Sequence, residues 1–316
     1  MSRTLKNYLG IGLKGVAMGA ADVIPGVSGG TIAFISGIYE ELINSIKSIN
    51  AASLKMLFTF RIKAFWKAIN GNFLLALICG ILISFLSLAK LMLFLLHNYQ
   101  VPVWAFFFGL VLASIWYVIR QVNKFHWSLP VLFAVGAVLG YIITALSPTS
   151  TPDDLWFIFL CGAIAVCVMI LPAISGGFVL LLLGKYTFMM NALVTFDITV
   201  IAVFITGAVI GLIGFSNVLS WLLSRFHAAT VIVLGGFLLG SLNKIWPWKE
   251  TLEVFIDQHG VAQPLVQKNV LPYTYEQITG DSHQLAAAIL FFLLGLSIVF
   301  VIEFAAKKIS RSMGSY

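Results

Sequence analysis

The sequence predicts an all-α polytopic membrane protein made of two inverted-topology repeats, each a re-entrant helical hairpin followed by about three transmembrane helices. Three observations carry that prediction. Of the 316 residues, 60% are hydrophobic and only 10% charged, and the mean hydropathy is +1.01, which leaves too little polar surface for a water-soluble globule of this size. Six apolar runs, at about 74–96, 102–120, 129–146, 199–223, 228–244 and 285–306, come near or exceed the roughly 20 residues that a helix needs to cross a hydrocarbon layer about 30 Å thick. Finally, a broken motif occurs twice, as IPGVSGG at 24–30 and LPAISGG at 171–177.

The motif belongs to a longer internal repeat. At a constant offset of 147, the stretch from Asp22 to Tyr39 aligns with Met169 to Tyr186 and keeps Pro25/Pro172, Ser28/Ser175, Gly29/Gly176, Gly30/Gly177, Gly37/Gly184 and Tyr39/Tyr186. The first repeat is placed at 1–146 and the second at 155–316.

The first element is the hairpin at 14–40, whose two arms together are too short for two crossings. It is expected to enter from the cytoplasm and return there, with Pro25 and Gly26 at the break. Backbone freed by such a break cannot face lipid unpaired, so it must lie inside the bundle or against a water-filled cavity. A basic segment follows at 45–70, carrying Lys47, Lys55, Arg61, Lys63 and Lys67 among Met56, Phe58, Phe60, Phe65 and Trp66; it is expected to be an amphipathic helix lying in the interface. Three spans follow. The second hairpin, at 156–186 with its break at Pro172, dips in from the outer face, and the last three spans lead to a cytoplasmic C-terminus, with a loop at 244–283 outside.

Charge supports this arrangement. It puts 14 of the 19 Lys and Arg residues on the cytoplasmic side, together with both termini; Lys185, Lys244, Lys249 and Lys268 lie outside and Lys90 within a span. That is the bias that orients membrane proteins, so the net charge of +7 reports membrane edges rather than nucleic acid. The segment MSRTLKNYLG lacks the apolar run and small-residue cleavage site of a removable signal peptide. Because three is odd, the second half is inverted relative to the first, and inverted repeats with broken helices are a transporter architecture.

In each hairpin Ser-Gly-Gly precedes an apolar helix, so Ser28 and Ser175 are placed to cap it while Gly29, Gly30, Thr31, Gly176 and Gly177 turn backbone N–H groups into the break. Such a helix end suits an anion, and two facing each other near the midplane suit a phosphate better than a cation. The alternative is that Ser-Gly-Gly only permits close helix packing. Asp22 is an intramembrane carboxylate with Met169 as its repeat partner, which makes it the candidate for a coupling proton or sodium ion; a carboxyl satisfied by its own hairpin is the alternative. Glu40 and Glu41 at the cytoplasmic exit read first as a solvated helix end. Arg225 is a positive anchor or a cytoplasmic phosphate partner, and Lys185 is placed to attract an anionic headgroup at the outer face.

Other chemistries find little support. His97, His126, His227, His259 and His283 lack paired ligand spacing, and Cys79, Cys161 and Cys167 sit in apolar runs, so no metal or other cofactor is expected. Gly26 to Gly30 fits GxSxG, but that nucleophile elbow needs a strand-to-helix turn and a histidine nearby.

The stretch MGAADVIPGVSGGTIAFISGIYEELI and its degenerate copy LPAISGGFVLLLLGKY resemble the bacterial PopT family of polyprenyl-phosphate transporters over nearly the whole chain. The resemblance implies return of undecaprenyl phosphate, the lipid carrier of cell-wall building blocks, from the outer to the inner leaflet of the plasma membrane. It attaches to Asp22, Pro25, Ser28, Gly29, Gly30, Ser175, Gly176 and Gly177. PGVSGG is also similar to the PGxSRS loop of membrane undecaprenyl-pyrophosphate phosphatases, but Gly29 stands where that loop has arginine, whose guanidinium would hold the pyrophosphate. A membrane phosphatase and an anion or ion channel stay open as alternative readings.

Overall fold

The computed structural model describes residues 3–22, 28–120, 122, 126–149, 151–172, 174–256 and 262–313. It is mainly helical, and the repeat is visible in its element lengths. Helix α1 (Leu5–Asp22) leads to the short α2 (Gly29–Ile35) and to α3 (Tyr39–Lys47); α4 (Ala51–Phe58) and α5 (Ile62–Ala68) precede three long helices, α6 (Gly71–Asn98), α7 (Gln100–Arg120) and α8 (Ser128–Ala145). The second half opens with α9 (Leu155–Ile170), the short α10 (Gly176–Leu182) and α11 (Tyr186–Val194), then α12 (Ile198–Arg225) and α13 (His227–Ser241). A 3-10 turn at Leu242–Ile245, strands β1 (Lys249–Ile256) and β2 (Ala262–Asn269), α14 (Pro272–Thr279) and α15 (Leu285–Met313) complete it.

At the offset of 147, α10 and α11 fall on α2 and α3 residue for residue. The same local chemistry sets both sets of boundaries. Ser28 and Ser175 are extended N-caps whose hydroxyl oxygens accept helix N–H bonds. Gly37 and Gly184 both turn with positive φ, 71° and 63°, a conformation that costs glycine nothing. On the other side of the second break, Leu171 is extended at ψ 139° because Pro172 follows it, which ends α9.

Each expected span is matched by a helix. Among the described residues, five helices are long and apolar enough to cross a membrane: Gly71–Leu88 of α6, α7, α8, α12, and α13 extended through the 3-10 turn to Ile245; α15 has its apolar stretch at Leu285–Val301. The exposed face of α6, with Leu75, Ile78, Leu82, Ile83 and Leu86, is a surface suited to lipid. The chain is a polytopic membrane protein.

Three expectations need correction. The first arm begins at Leu5 rather than near Lys14, which lies within α1 and donates from Nζ to the carbonyl oxygen of Ser36 at 2.7 Å. The basic segment is two short helices, because the chain turns between them at Phe60 with φ 56°. The fold is also not wholly α-helical: β1 and β2 form a two-stranded sheet, and within β1 the stretch Thr251 to Val254 alternates polar and apolar side chains with the period of a strand.

The chain forms two compact units, one comprising Met1–Met92, Leu146–Thr230 and Val254–Leu265, the other Leu93–Ala145, Val231–Glu253 and Val266–Tyr316. In the first, α1 lies along α6, with Gly15 against Leu77 and Gly80 and Gly19 against Ile81 and Ser84, so the two helices run in the same direction. Helix α9 lies along α12 in the same sense, with Gly162 against Phe204 and Ala208 and Gly211 against Ala163 further along. Glycine at these contacts lets backbones approach within what a Cβ would forbid. In the second unit α7 packs on α15 at Gly109 and Gly295, and α8 on α13 at Gly136 and Gly240. Trp248, Tyr275, Val101, Ala105 and Ala288 form a buried cluster within it.

Candidate functional site

The site lies in the first unit, where the two breaks meet. At the first, Asp22 closes α1 and its Oδ1 accepts the Gly29 N–H at 2.6 Å. The hydroxyl of Ser28 accepts the Gly30 N–H at 3.1 Å, and the Thr31 N–H bonds the Ser28 carbonyl at 2.9 Å. All three leading N–H groups of α2 are therefore held by protein oxygens. A side chain on Gly29 would overlap the Asp22 carboxylate, so glycine is what lets the acid reach the helix end. Ser28 and Thr31 are completely buried. Pro25 and Gly26 lie outside the described residues.

The second break has the same cap and a different filling. Ser175 Oγ accepts the Phe178 N–H at 3.3 Å. Met169 stands where the first repeat has Asp22, so no carboxylate comes from that position. Gly177 is exposed while its partner Gly30 is buried. Pro172 is buried at the turn.

The breaks are joined by the end of α9. A helix leaves its last carbonyls without intrahelical partners, and here the first repeat supplies donors for them. Tyr39 Oη donates to the Ile170 carbonyl at 3.1 Å, and Ser28 Oγ lies 3.4 Å from the Met169 carbonyl oxygen and 3.5 Å from that of Leu171. Gly30 packs beneath them, with an added Cβ falling 2.9 Å from the Ile170 oxygen. Tyr39, 2% exposed, is a residue to which the sequence assigned no role, although its match with Tyr186 in the repeat marks it. Tyr39→Phe leaves the buried Ile170 carbonyl without this donor and is expected to lower stability by on the order of 1 kcal/mol, checked by thermal unfolding of the purified protein.

The remaining candidates lie around this junction. Glu40 is exposed and pairs with His227 at 2.7 Å. Glu41 takes both Arg3 guanidinium nitrogens at 2.6 and 2.7 Å and the Asn70 amide at 2.8 Å, which ties the chain start to α3. Burial raises the Glu41 pKa, but its bonds to Arg3 and Asn70 outweigh that and hold it below the ordinary carboxylate value. A crevice of about 430 Å³ opens beside it, lined by Glu41, Asn44, Ser45, Ser48, Ala68 and Asn70. Arg225 is exposed in the last turn of α12.

Lys185 differs from expectation. It is 3% exposed, its ammonium paired with Asp153 at 2.6 Å and donating to the Thr151 carbonyl. The loop before α9 folds over it, so its charge is neutralised rather than offered to a headgroup. Among the described residues no cluster of His, Cys, Asp or Glu could hold a metal ion.

Comparison with known proteins identifies the family. The model of the VCA0040-like, undecaprenyl phosphate translocase-like family matches residues 18–263. A polyprenyl-phosphate transporter of Vibrio cholerae serotype O1 is 44% identical over 308 residues, covering 98% of this chain and all of that protein. A polyprenyl-phosphate transporter of Staphylococcus aureus is 31% identical over 270 residues, covering 77% of this chain and 91% of that protein. No solved structure matches the chain. With the family match spanning both breaks and a relative similar from end to end, the chain belongs to the undecaprenyl phosphate translocase-like family.

Proposed function

We propose that this chain carries a polyprenyl phosphate across the bacterial plasma membrane, returning the lipid carrier from the outer to the inner leaflet for cell-envelope synthesis. The observation that carries the proposal is the meeting of two capped helix breaks, Ser28 and Tyr39 of one on the end of α9 in the other, in a chain whose relatives are named polyprenyl-phosphate transporters. An ionised phosphate in hydrocarbon costs far more than its prenyl chain recovers. The breaks stand in for water, while the prenyl chain stays in or near lipid between helices.

In this reading the two halves are inverted repeats and each broken segment is a re-entrant hairpin. Matched lengths of α2 with α10 and α3 with α11 support it, as do the pairings of α1 with α6 and α9 with α12. The headgroup is met by the capped end of α10 at Ser175, Gly176 and Gly177, by the Gly29 N–H when Asp22 gives up its place on α2, and by Gly30 and Thr31 when Ser28 releases theirs. Asp22 then links a proton or sodium ion to the phosphate, since a neutralised carboxyl holds the Gly29 N–H less strongly. Rocking of one repeat against the other exposes the junction to each side in turn.

Binding of a prenyl phosphate to the purified protein, followed by native mass spectrometry, tests the placement. Ser28→Ala combined with Ser175→Ala is expected to weaken binding at least tenfold, beyond the loss of about 1 kcal/mol of stability at each cap. Binding indifferent to both serines would leave the repeat as a packing device.

A further inference from the structure

We infer that α4 and α5, in the first compact unit, form a surface that selectively binds anionic phospholipids of the leaflet it rests on, separate from the junction and from the lipid carried there. The two short helices turn into each other at Phe60, where φ is 56°. Phe58 and Phe60 are 79% and 89% exposed, and Leu57, Ile62 and Trp66 are exposed beside them. An apolar patch of this kind calls for something to cover it. Lys55, Arg61, Lys63 and Lys67 are exposed on the same stretch, and the sequence has no Asp or Glu between Glu41 and Asp153. Among the described residues no ion pair involves any of the four. On α5 the two kinds of residue are sorted: Ile62, Phe65 and Trp66 share one helix face, and Lys63 and Lys67 lie together beside it.

Position and charge together fix the occupant. Helix α5 ends at Ala68 and α6 begins at Gly71, the first residue of a stretch apolar enough to cross the membrane. The Trp66 ring lies against Gly71, and its Nε1 donates to Asn72 Oδ1 at 2.7 Å. Trp66 thus marks the level at which the chain enters hydrocarbon, where indole rings concentrate. At that level the exposed aromatic side chains meet the boundary of acyl chains and headgroups while the cations meet lipid phosphates. The surface is held in place from behind, since Asn70 donates to Glu41 at 2.8 Å and to Ser45 Oγ at 3.3 Å, both on α3. A zwitterionic headgroup balances its phosphate with its own ammonium, whereas an anionic one leaves a net charge to pair. Each Lys or Arg close to an anionic leaflet is worth about fivefold in affinity.

The experiment uses the full-length protein in detergent, cleared of bound lipid and titrated with phosphatidylglycerol and separately with phosphatidylcholine, with bound lipid read by native mass spectrometry. Wild type is expected to bind phosphatidylglycerol at least fivefold more tightly than phosphatidylcholine. Arg61→Gln combined with Lys63→Gln and Lys67→Gln weakens phosphatidylglycerol binding at least tenfold and leaves phosphatidylcholine binding within about twofold. Arg120→Gln, at an exposed cation in the last turn of α7 in the other unit, changes neither. Phe58→Ala combined with Phe60→Ala weakens binding of both lipids several-fold, because apolar contact serves either. All of these positions are exposed, so the variants keep the fold. Equal binding of the two lipids by wild type overturns the inference, as does a loss in Arg120→Gln equal to that in the triple variant. A dimer that dissociates in the phenylalanine variant while lipid binding stays unchanged gives the surface to a second copy and overturns it too. Neither probe carries a prenyl phosphate, so failure here leaves the proposed transport untouched.

Discussion

Gly30→Ala is expected to reduce transport at least tenfold, while the same change at the equivalent Gly177 leaves it nearly intact. The two glycines occupy one position of the repeat in different surroundings. A Cβ on Gly30 would lie 2.9 Å from the Ile170 carbonyl oxygen, 3.1 Å from Ser28 Oγ and 3.3 Å from the Leu171 oxygen. Two of these belong to backbone that cannot turn aside, so the junction must open, at a cost of about 1–3 kcal/mol typical of overpacking. On Gly177 the nearest atom is Tyr186 Cε2 at 3.9 Å, an ordinary contact. Alanine there gains about 0.4–1 kcal/mol through the unfolded chain. Thermal unfolding should therefore move in opposite directions for the two variants. Equal effects would mean that the junction is not what limits either stability or transport.

Asp22→Asn should separate charge from shape. Asparagine is nearly isosteric and its side-chain oxygen still accepts the Gly29 N–H that Asp22 holds at 2.6 Å, so the break keeps its geometry. What disappears is the ionisable group. Transport is expected to fall at least tenfold and to lose its dependence on pH or sodium. A variant that transports more slowly but keeps the wild-type dependence would move the coupling ion elsewhere. Because the second repeat has Met169 at this position, a symmetric pair of ion sites is not expected.

The helix breaks were legible in the sequence because their boundaries depend on side chains with distinct local chemistry. Ser28 and Ser175 cap, Pro172 ends α9, and Gly37 and Gly184 turn where alignment places them. Their meeting was harder to specify. Met169, Ile170 and Leu171 contribute carbonyl oxygens, which every residue carries, so nothing in their side chains announces the contact with Ser28, Gly30 and Tyr39. Asp22 was legible as an unusual acid, but its grip on Gly29, seven residues away across a break, depends on where the fold returns the chain. Lys185 and Lys249 read as outer-face charges, and only packing reveals that both are buried, one beside Asp153 and one over Trp104. Alternation over Thr251 to Val254 is a strand signal only four residues long, which the surrounding apolar helices masked.

The most direct measurement is movement of a fluorescent short-chain prenyl phosphate between leaflets of proteoliposomes, read by an impermeant quencher. The account predicts that wild-type protein moves the lipid from the quenchable leaflet, that Gly30→Ala and Asp22→Asn slow this at least tenfold, and that no phosphate is released. A lipid distribution unchanged by the protein, or phosphate liberated from a prenyl pyrophosphate in its place, would contradict it.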